Sequence, residues 1–195
     1  MDQVYNVKVV FLGDASVGKS SLLYRMVEKE FPSFSEATIG QQYLYRFFEM
    51  DNKTYKINIW DTGGSERFDS LTSNYLRKVD CIFFVYDICD RKSFERLDEI
   101  YTQYKANFQF EPTITILANK IDKKSERVIK FYESLDLAEN FKALHFQTSA
   151  LTNASVERAF KETMAIVIST KDKKNDWNQL NNSLLSSENN EKNCC

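Results

Sequence analysis

The chain has 195 residues, 43% of them hydrophobic and 28% charged, which suits one folded domain with a sizeable core. A formal net charge of -2 gives no global positive field for nucleic acid, and no apolar run is long enough to cross a bilayer. The polar start, Met1 to Asn6, has no secretory apolar segment, and Asp2 removes the glycine that myristoylation requires. Cys81, Cys89, Cys194 and Cys195 show no metal-ligand spacing, so a reducing, cytosolic compartment is expected.

In chain order, Val7 to Leu12 reads as a buried strand closed by Gly13, and Ser20 to Glu28 as a helix with Leu22, Leu23, Met26 and Val27 on one face. Tyr43 to Met50 and Lys53 to Asp61 alternate with period two about Asp51-Asn52, which predicts a hairpin. Cys81 to Tyr86 and Thr113 to Ala118 are short apolar strands with a helix between them, Ser93 to Phe108. Ala143 to Thr148 reads as a last strand and Ser155 to Ile168 as a closing amphipathic helix. Six strands alternating with helices imply an α/β domain, a mainly parallel sheet with helices on both faces. Ligands of such sheets sit at the carboxyl ends of the strands. From Lys171 to Asn193 the chain is rich in Asn, Ser and Lys, so residues 1–170 are read as the domain and 171–195 as a flexible tail.

Between the first strand and helix lies Gly13-Asp14-Ala15-Ser16-Val17-Gly18-Lys19-Ser20, the pattern of a phosphate-binding loop. Its glycines let backbone N–H groups turn toward phosphate oxygens, and the helix amino terminus adds the positive end of a dipole. Lys19 can reach outer phosphates, and the Ser20 hydroxyl, followed by Ser21, can ligate magnesium. The loop alone permits ATP or GTP. Asn119-Lys120-Ile121-Asp122 follows a buried strand and therefore lies at the same sheet edge. A carboxylate there accepts from guanine N1–H and its exocyclic amine, whereas adenine would leave it unpaired.

With these motifs in order, the chain resembles a small GTPase of the Ras superfamily, and most closely the Rab family, over Val4 to Ser169. Thr38-Ile39-Gly40 is similar to the switch I motif, Trp60 to Phe68 to the Rab switch II signature, and Thr148-Ser149-Ala150 to the last base-contacting motif. The resemblance implies that Phe31 stacks beside guanine and that Ser149 and Ala150 contact the base. It also implies Mg2+ held by Ser20, Thr38 and Asp61, with Thr38 and the Gly64 N–H meeting the γ-phosphate. Tyr43, Trp60 and Tyr75 resemble the aromatic triad read by Rab effectors, although Trp60 can equally be ordinary strand packing. Cys194-Cys195 resembles a doubly geranylgeranylated terminus, and two lipid chains suffice for stable attachment.

The chain departs from the pattern at Ser65, where the family carries a water-orienting glutamine; serine is too short to take its place, so slow intrinsic hydrolysis is expected. Gly63 replaces an alanine, Ser16 a glycine, and Leu151 a lysine that packs on the base. The only histidine, His145, is expected to be structural. The combined expectation is a monomeric Rab-like GTPase at the cytosolic face of intracellular membranes, cycling with cytosol and acting in vesicle transport. It would meet effectors, an exchange factor, an activating protein and prenyl-escort proteins, but no nucleic acid. A GTP-locked membrane adaptor is the first alternative. A phosphate-loop kinase or ATPase is the second, disfavoured by Asp122.

Overall fold

The computed structural model describes residues 3–29, 41–62, 76–108 and 111–191, with the backbone alone at Gln41 and from 174 onward. Strand β1 (Val4–Leu12) is central, flanked in parallel by β3 (Lys53–Thr62) and β4 (Cys81–Asp87). The sheet extends through β5 (Thr113–Asn119) to β6 (Leu144–Gln147) on one side and to the antiparallel β2 (Gln41–Met50) on the other. Five of the six strands thus run the same way, with their carboxyl ends at one edge.

Both faces of β1 are covered over its carboxyl half, which explains the apolar run from Val9 to Leu12. Val7, Val9 and Phe11 join one core cluster, while Val10 and Leu12 join the other. The first cluster lies under α1 (Lys19–Glu28), through Leu22, Leu23 and Met26, and under Val156, Phe160 and Met164 of the last helix. The second lies under α2 (Arg91–Asn107) and α3 (Phe131–Phe141), through Leu97, Ile100, Ala138 and Phe141. Helix α2 begins earlier than periodicity predicts, because the Asp90 side chain accepts from the Lys92 N–H and caps it.

The hairpin forms about the predicted pair: Asp51 and Asn52 have φ of 52° and 58°, the positive values that a two-residue type I′ turn requires. Helix α3 had no counterpart in the sequence reading. It buries only Ser134, Ala138 and Phe141, and exposes Phe131, Tyr132 and Leu135, so its apolar pattern misstates its buried face.

The last helix enters the segment read as a flexible tail. Helix α4 runs from Val156 to Glu191, well past Thr170. Neither glycine nor proline interrupts that stretch. Its first turns beyond Thr170 are held to the sheet: Lys171 pairs with Asp80 at 2.6 Å, and Asp172 accepts from Lys53 at 2.7 Å and from the Tyr55 hydroxyl at 2.9 Å. Contacts from α4 to the sheet therefore reach at least to Asp172.

Candidate functional site

Three loops meet at the carboxyl edge of the sheet. The first leaves β1 at Gly13 and turns into α1 at Lys19. Gly13 passes so close to β4 that a β-carbon would lie 2.1 Å from the Val85 carbonyl oxygen. Gly18 adopts φ +96° against the Asn119 amide, where a β-carbon would lie 2.4 Å from Nδ2. Both positions require glycine for space as well as for conformation. Ser16 also sits in the left-handed region, at φ 62°, where its side chain carries a cost that a glycine would not.

Lys19 is 4% exposed, and its ammonium donates to the carbonyls of Gly13 at 3.0 Å and Asp14 at 2.8 Å. The cation is thus folded back over the loop, poised at the start of α1 where its helix dipole is positive. Beside it, the Ser20 hydroxyl donates to the Asp61 carboxylate, which is fully buried at the end of β3. A hydroxyl and a carboxylate meeting here are hard oxygen donors of the kind magnesium takes. The donor set therefore fits that ion.

The second loop follows β5. Asn119 does not point outward; it is 1% exposed, and its Nδ2 donates to the Val17 carbonyl at 2.8 Å, locking the first loop. Its Oδ1 accepts from the Ala150 N–H at 3.2 Å in the third loop. Lys120, at φ 66°, donates from Nζ to the Ser16 carbonyl at 2.8 Å and pairs with Asp87 at 2.7 Å. Asp122 accepts from the Ser149 hydroxyl, which ties the second loop to the third and aims the carboxylate. Leu151 is 56% exposed, an apolar side chain beside the loop and open to a ligand ring.

The structure thus brings together Gly13 through Ser21, Asp61, Asn119, Lys120, Asp122, Ser149, Ala150 and Leu151. Phe31, Thr38, Gly63, Gly64, Ser65, Tyr75, Cys194 and Cys195 lie outside the described residues. Of the predicted aromatic triad, Tyr43 and Trp60 face each other across β2 and β3, with ring centroids 5.2 Å apart. His145 sits in β6, where burial pushes its imidazole down to about 4; it edges against Phe131 and takes no part in the site.

Two positioning residues were not read from sequence. Asp87 orients Lys120, and its place at the end of β4 is the signal that could have found it. Arg25 donates to the carbonyls of Ala150 at 2.8 Å and Leu151 at 3.0 Å, tying α1 to the third loop. No local pattern marks such a contact.

Comparison with known proteins agrees with this geometry. The model of the Ras family matches residues 8–169. The chain is 36% identical to the Ras-related protein Rab-2B of Dictyostelium discoideum over 156 residues, covering 80% of this chain and 77% of the relative. It is 35% identical to the Ras-related protein RABA4b of Arabidopsis thaliana over 171 residues, covering 88% and 76%. The GTP-binding protein ypt2 of Schizosaccharomyces pombe is 34% identical over 194 residues, covering 98% of this chain and 96% of its own. A phosphate loop, a guanine-type loop joined to it through Asn119, and this likeness along nearly the whole chain place it in the Ras family, as a Rab-type small GTPase.

Proposed function

We propose that the chain is a nucleotide-state switch that binds GTP or GDP with Mg2+ and recruits effectors to membranes in vesicle trafficking, with slow intrinsic turnover. The observation that carries the reading is the Asn119 junction, which joins the loop for phosphate to the loop for base. Asp122, aimed by Ser149, accepts from guanine N1–H and the exocyclic amine. Ser149, Ala150 and Leu151 line the base, and Phe31 closes its other side. Gly13 to Ser21 cradle the phosphates, and Lys19 exchanges its carbonyl partners for the outer phosphates.

Mg2+ would be held by Ser20, Thr38 and Asp61, and would supply charge neutralisation between the outer phosphates. Thr38 and Gly64 meet the γ-phosphate, so its loss frees both switch segments. Tyr43, Trp60 and Tyr75 form the surface that effectors read. Cys194 and Cys195 carry geranylgeranyl groups, delivered by prenyl-escort proteins, and hold the chain at the cytosolic face of intracellular membranes. An exchange factor loads it, and an activating protein ends its GTP state.

Ser65 favours a second, more extreme reading, a GTP-locked adaptor that turns over only with an activating protein. Single-turnover GTP hydrolysis, with and without such a protein, separates the two. The expected result is slow intrinsic hydrolysis, accelerated at least about tenfold by Ser65→Gln. An unchanged rate in that variant would remove the role assigned to position 65. Base selectivity is tested by Asp122→Asn, which should abolish the preference for GTP over ATP.

A further inference from the structure

A cation in the last turn of a helix commonly serves that helix's own terminal carbonyls, where the dipole is negative. Arg25 stands there in α1, yet its bond within the helix, from Nη1 to the Lys29 carbonyl, is the longest of three at 3.2 Å. The two shorter bonds cross to the third loop, 125 and 126 residues away in sequence. Nε donates to the Ala150 carbonyl at 2.8 Å and Nη2 to the Leu151 carbonyl at 3.0 Å. A planar guanidinium offers its donors in fixed directions, so one side chain sets three carbonyls relative to one another. A lysine ammonium on its flexible stem cannot do the same.

The groups so joined are those that face the base on the proposed reading. Ala150 is gripped from both sides, because Asn119 Oδ1 accepts from its N–H at 3.2 Å while Arg25 holds its carbonyl. Ser149, the residue before it, is fully buried, and its hydroxyl donates to Asp122. The aim of that carboxylate thus depends on a loop whose far side is held by α1. Lys29, the third acceptor, is the left-handed C-cap of α1 at φ 61°, and Phe31 follows two residues later in the sequence. The phosphate loop has ties of its own, Asn119 on the Val17 carbonyl and Lys120 on the Ser16 carbonyl, and these do not pass through Arg25. We propose that Arg25 sets the residence time of the bound nucleotide: it is a positioning residue that clamps the base loop to the end of α1, and it links release of the base to the chain leaving α1 at Lys29. The inference rests on the proposed nucleotide reading and adds how release from that site is governed.

Stopped-flow release of ribose-labelled fluorescent GDP from the full chain, with Mg2+ present, measures the effect. Arg25→Gln keeps the aliphatic stem and an amide donor, whereas Arg25→Lys keeps the charge without the fork. Thermal unfolding of each nucleotide-free variant checks that it is folded, and Arg25→Lys carries the test if Arg25→Gln does not fold. Both variants should release GDP about tenfold faster, with the association rate unchanged within about twofold. The labelled inosine diphosphate, which keeps O6 and N1–H but lacks the exocyclic amine, should be released only about threefold faster, because part of the loss is the aim of Asp122. Equal acceleration for the two bases would make Arg25 a merely structural residue and overturn the inference. Combined with Phe31→Ala, Arg25→Gln should give less than about half the product of the two separate accelerations. A full product would overturn the link to Lys29. Guanine-selective binding with GDP released at the parental rate by both Arg25 variants would overturn the inference alone. A chain that binds GDP no better than ADP would overturn the nucleotide reading with it.

Discussion

Replacing Asn119 by alanine should weaken nucleotide binding and global stability together, because its buried amide serves two loops at once. Its Nδ2 bond to the Val17 carbonyl is 2.8 Å, its Oδ1 bond from the Ala150 N–H is 3.2 Å, and the contact from the Thr148 hydroxyl, at 3.5 Å, is too long to count for much. Asn119→Ala leaves one carbonyl and one N–H without that partner in a position only 1% exposed. Each such group costs about 1–3 kcal/mol, and partial water entry brings the pair to about 2–4 kcal/mol. At ~1.4 kcal/mol per decade, the whole of that cost expressed in binding weakens GDP affinity about 30- to 700-fold. In the nucleotide-free chain it lowers Tm by about 4–16 °C for a domain of this size. Fluorescent GDP displacement and thermal unfolding measure the two effects. Gly18→Ala supplies the control, since its β-carbon would lie 2.4 Å from the same Nδ2. On the Asn119→Ala background that clash disappears, leaving mainly the φ +96° strain, so the two substitutions should couple by more than about 1 kcal/mol. Additivity within ~0.5 kcal/mol, or GDP affinity unchanged within about twofold in Asn119→Ala, would refute the assignment of Asn119 as the junction.

Ser16→Gly should raise Tm by about 2–4 °C in thermal unfolding, by relieving roughly 1 kcal/mol of left-handed strain at φ 62°. The bidentate Arg46–Glu157 pair, at 2.9 and 2.8 Å, ties β2 to α4, and the guanidinium holds the Glu157 carboxyl below its ordinary 4.5. Because the folded value is the lower one, this stabilisation is present above about 4.5 and fades as pH falls through the folded value. Glu157→Gln should therefore cost about 1 kcal/mol at pH 7, discounted for a side chain 34% exposed, and nothing in strong acid; denaturant titrations at both pH values check it. His145 has the same sign by a different cause: burial lowers it from 6.5 to about 4, so the unfolded chain takes the proton first. Stability should fall by on the order of 2 kcal/mol between pH 6.5 and 4, and His145→Leu should flatten that slope.

The parts of the fold legible in sequence are those where local chemistry and tertiary context agree. Val9 to Leu12 is apolar because both faces of β1 are covered there, and Asp51-Asn52 turns because both residues tolerate positive φ. Helix α3 was missed because Phe131, Tyr132 and Leu135 face out, while a serine and an alanine face in. The segment after Thr170 is read as flexible because Asn and Ser dominate it. A composition argument does not see Lys171 and Asp172 reaching Asp80, Lys53 and Tyr55, which are distant in sequence. In the proposed site, Lys19, Asp61 and Asp122 stand out in sequence because each residue type has one chemical task at its spacing. Asp87 and Arg25 act through other groups, and such positioning follows from the folded geometry alone.

That positioning divides the site into two mechanical units. The phosphate loop is pinned to β4 by Gly13 against Val85, to β5 by Asn119, and to the base loop by Lys120 on the Ser16 carbonyl. On the proposed reading, base and phosphate recognition therefore rest on loops bonded to one another, and a change at either end should be felt at the other. Among the described residues, the link toward β3 is of another kind: it runs through Ser20 on Asp61, with Thr62 bonded to the Phe11 carbonyl behind it. Asp61 and Thr62 end β3, where the segment read as switch II begins, and β3 also carries Trp60 toward Tyr43. On the proposed reading, a ligand that changes the Ser20–Asp61 contact would act on the strand that carries Trp60, without breaking the Asn119 and Lys120 bonds between the other loops. Nucleotide affinity and partner affinity can then be tuned separately. Substitutions at Asn119 should move GDP affinity more than the discrimination between nucleotide states, and those at Asp61 should do the reverse.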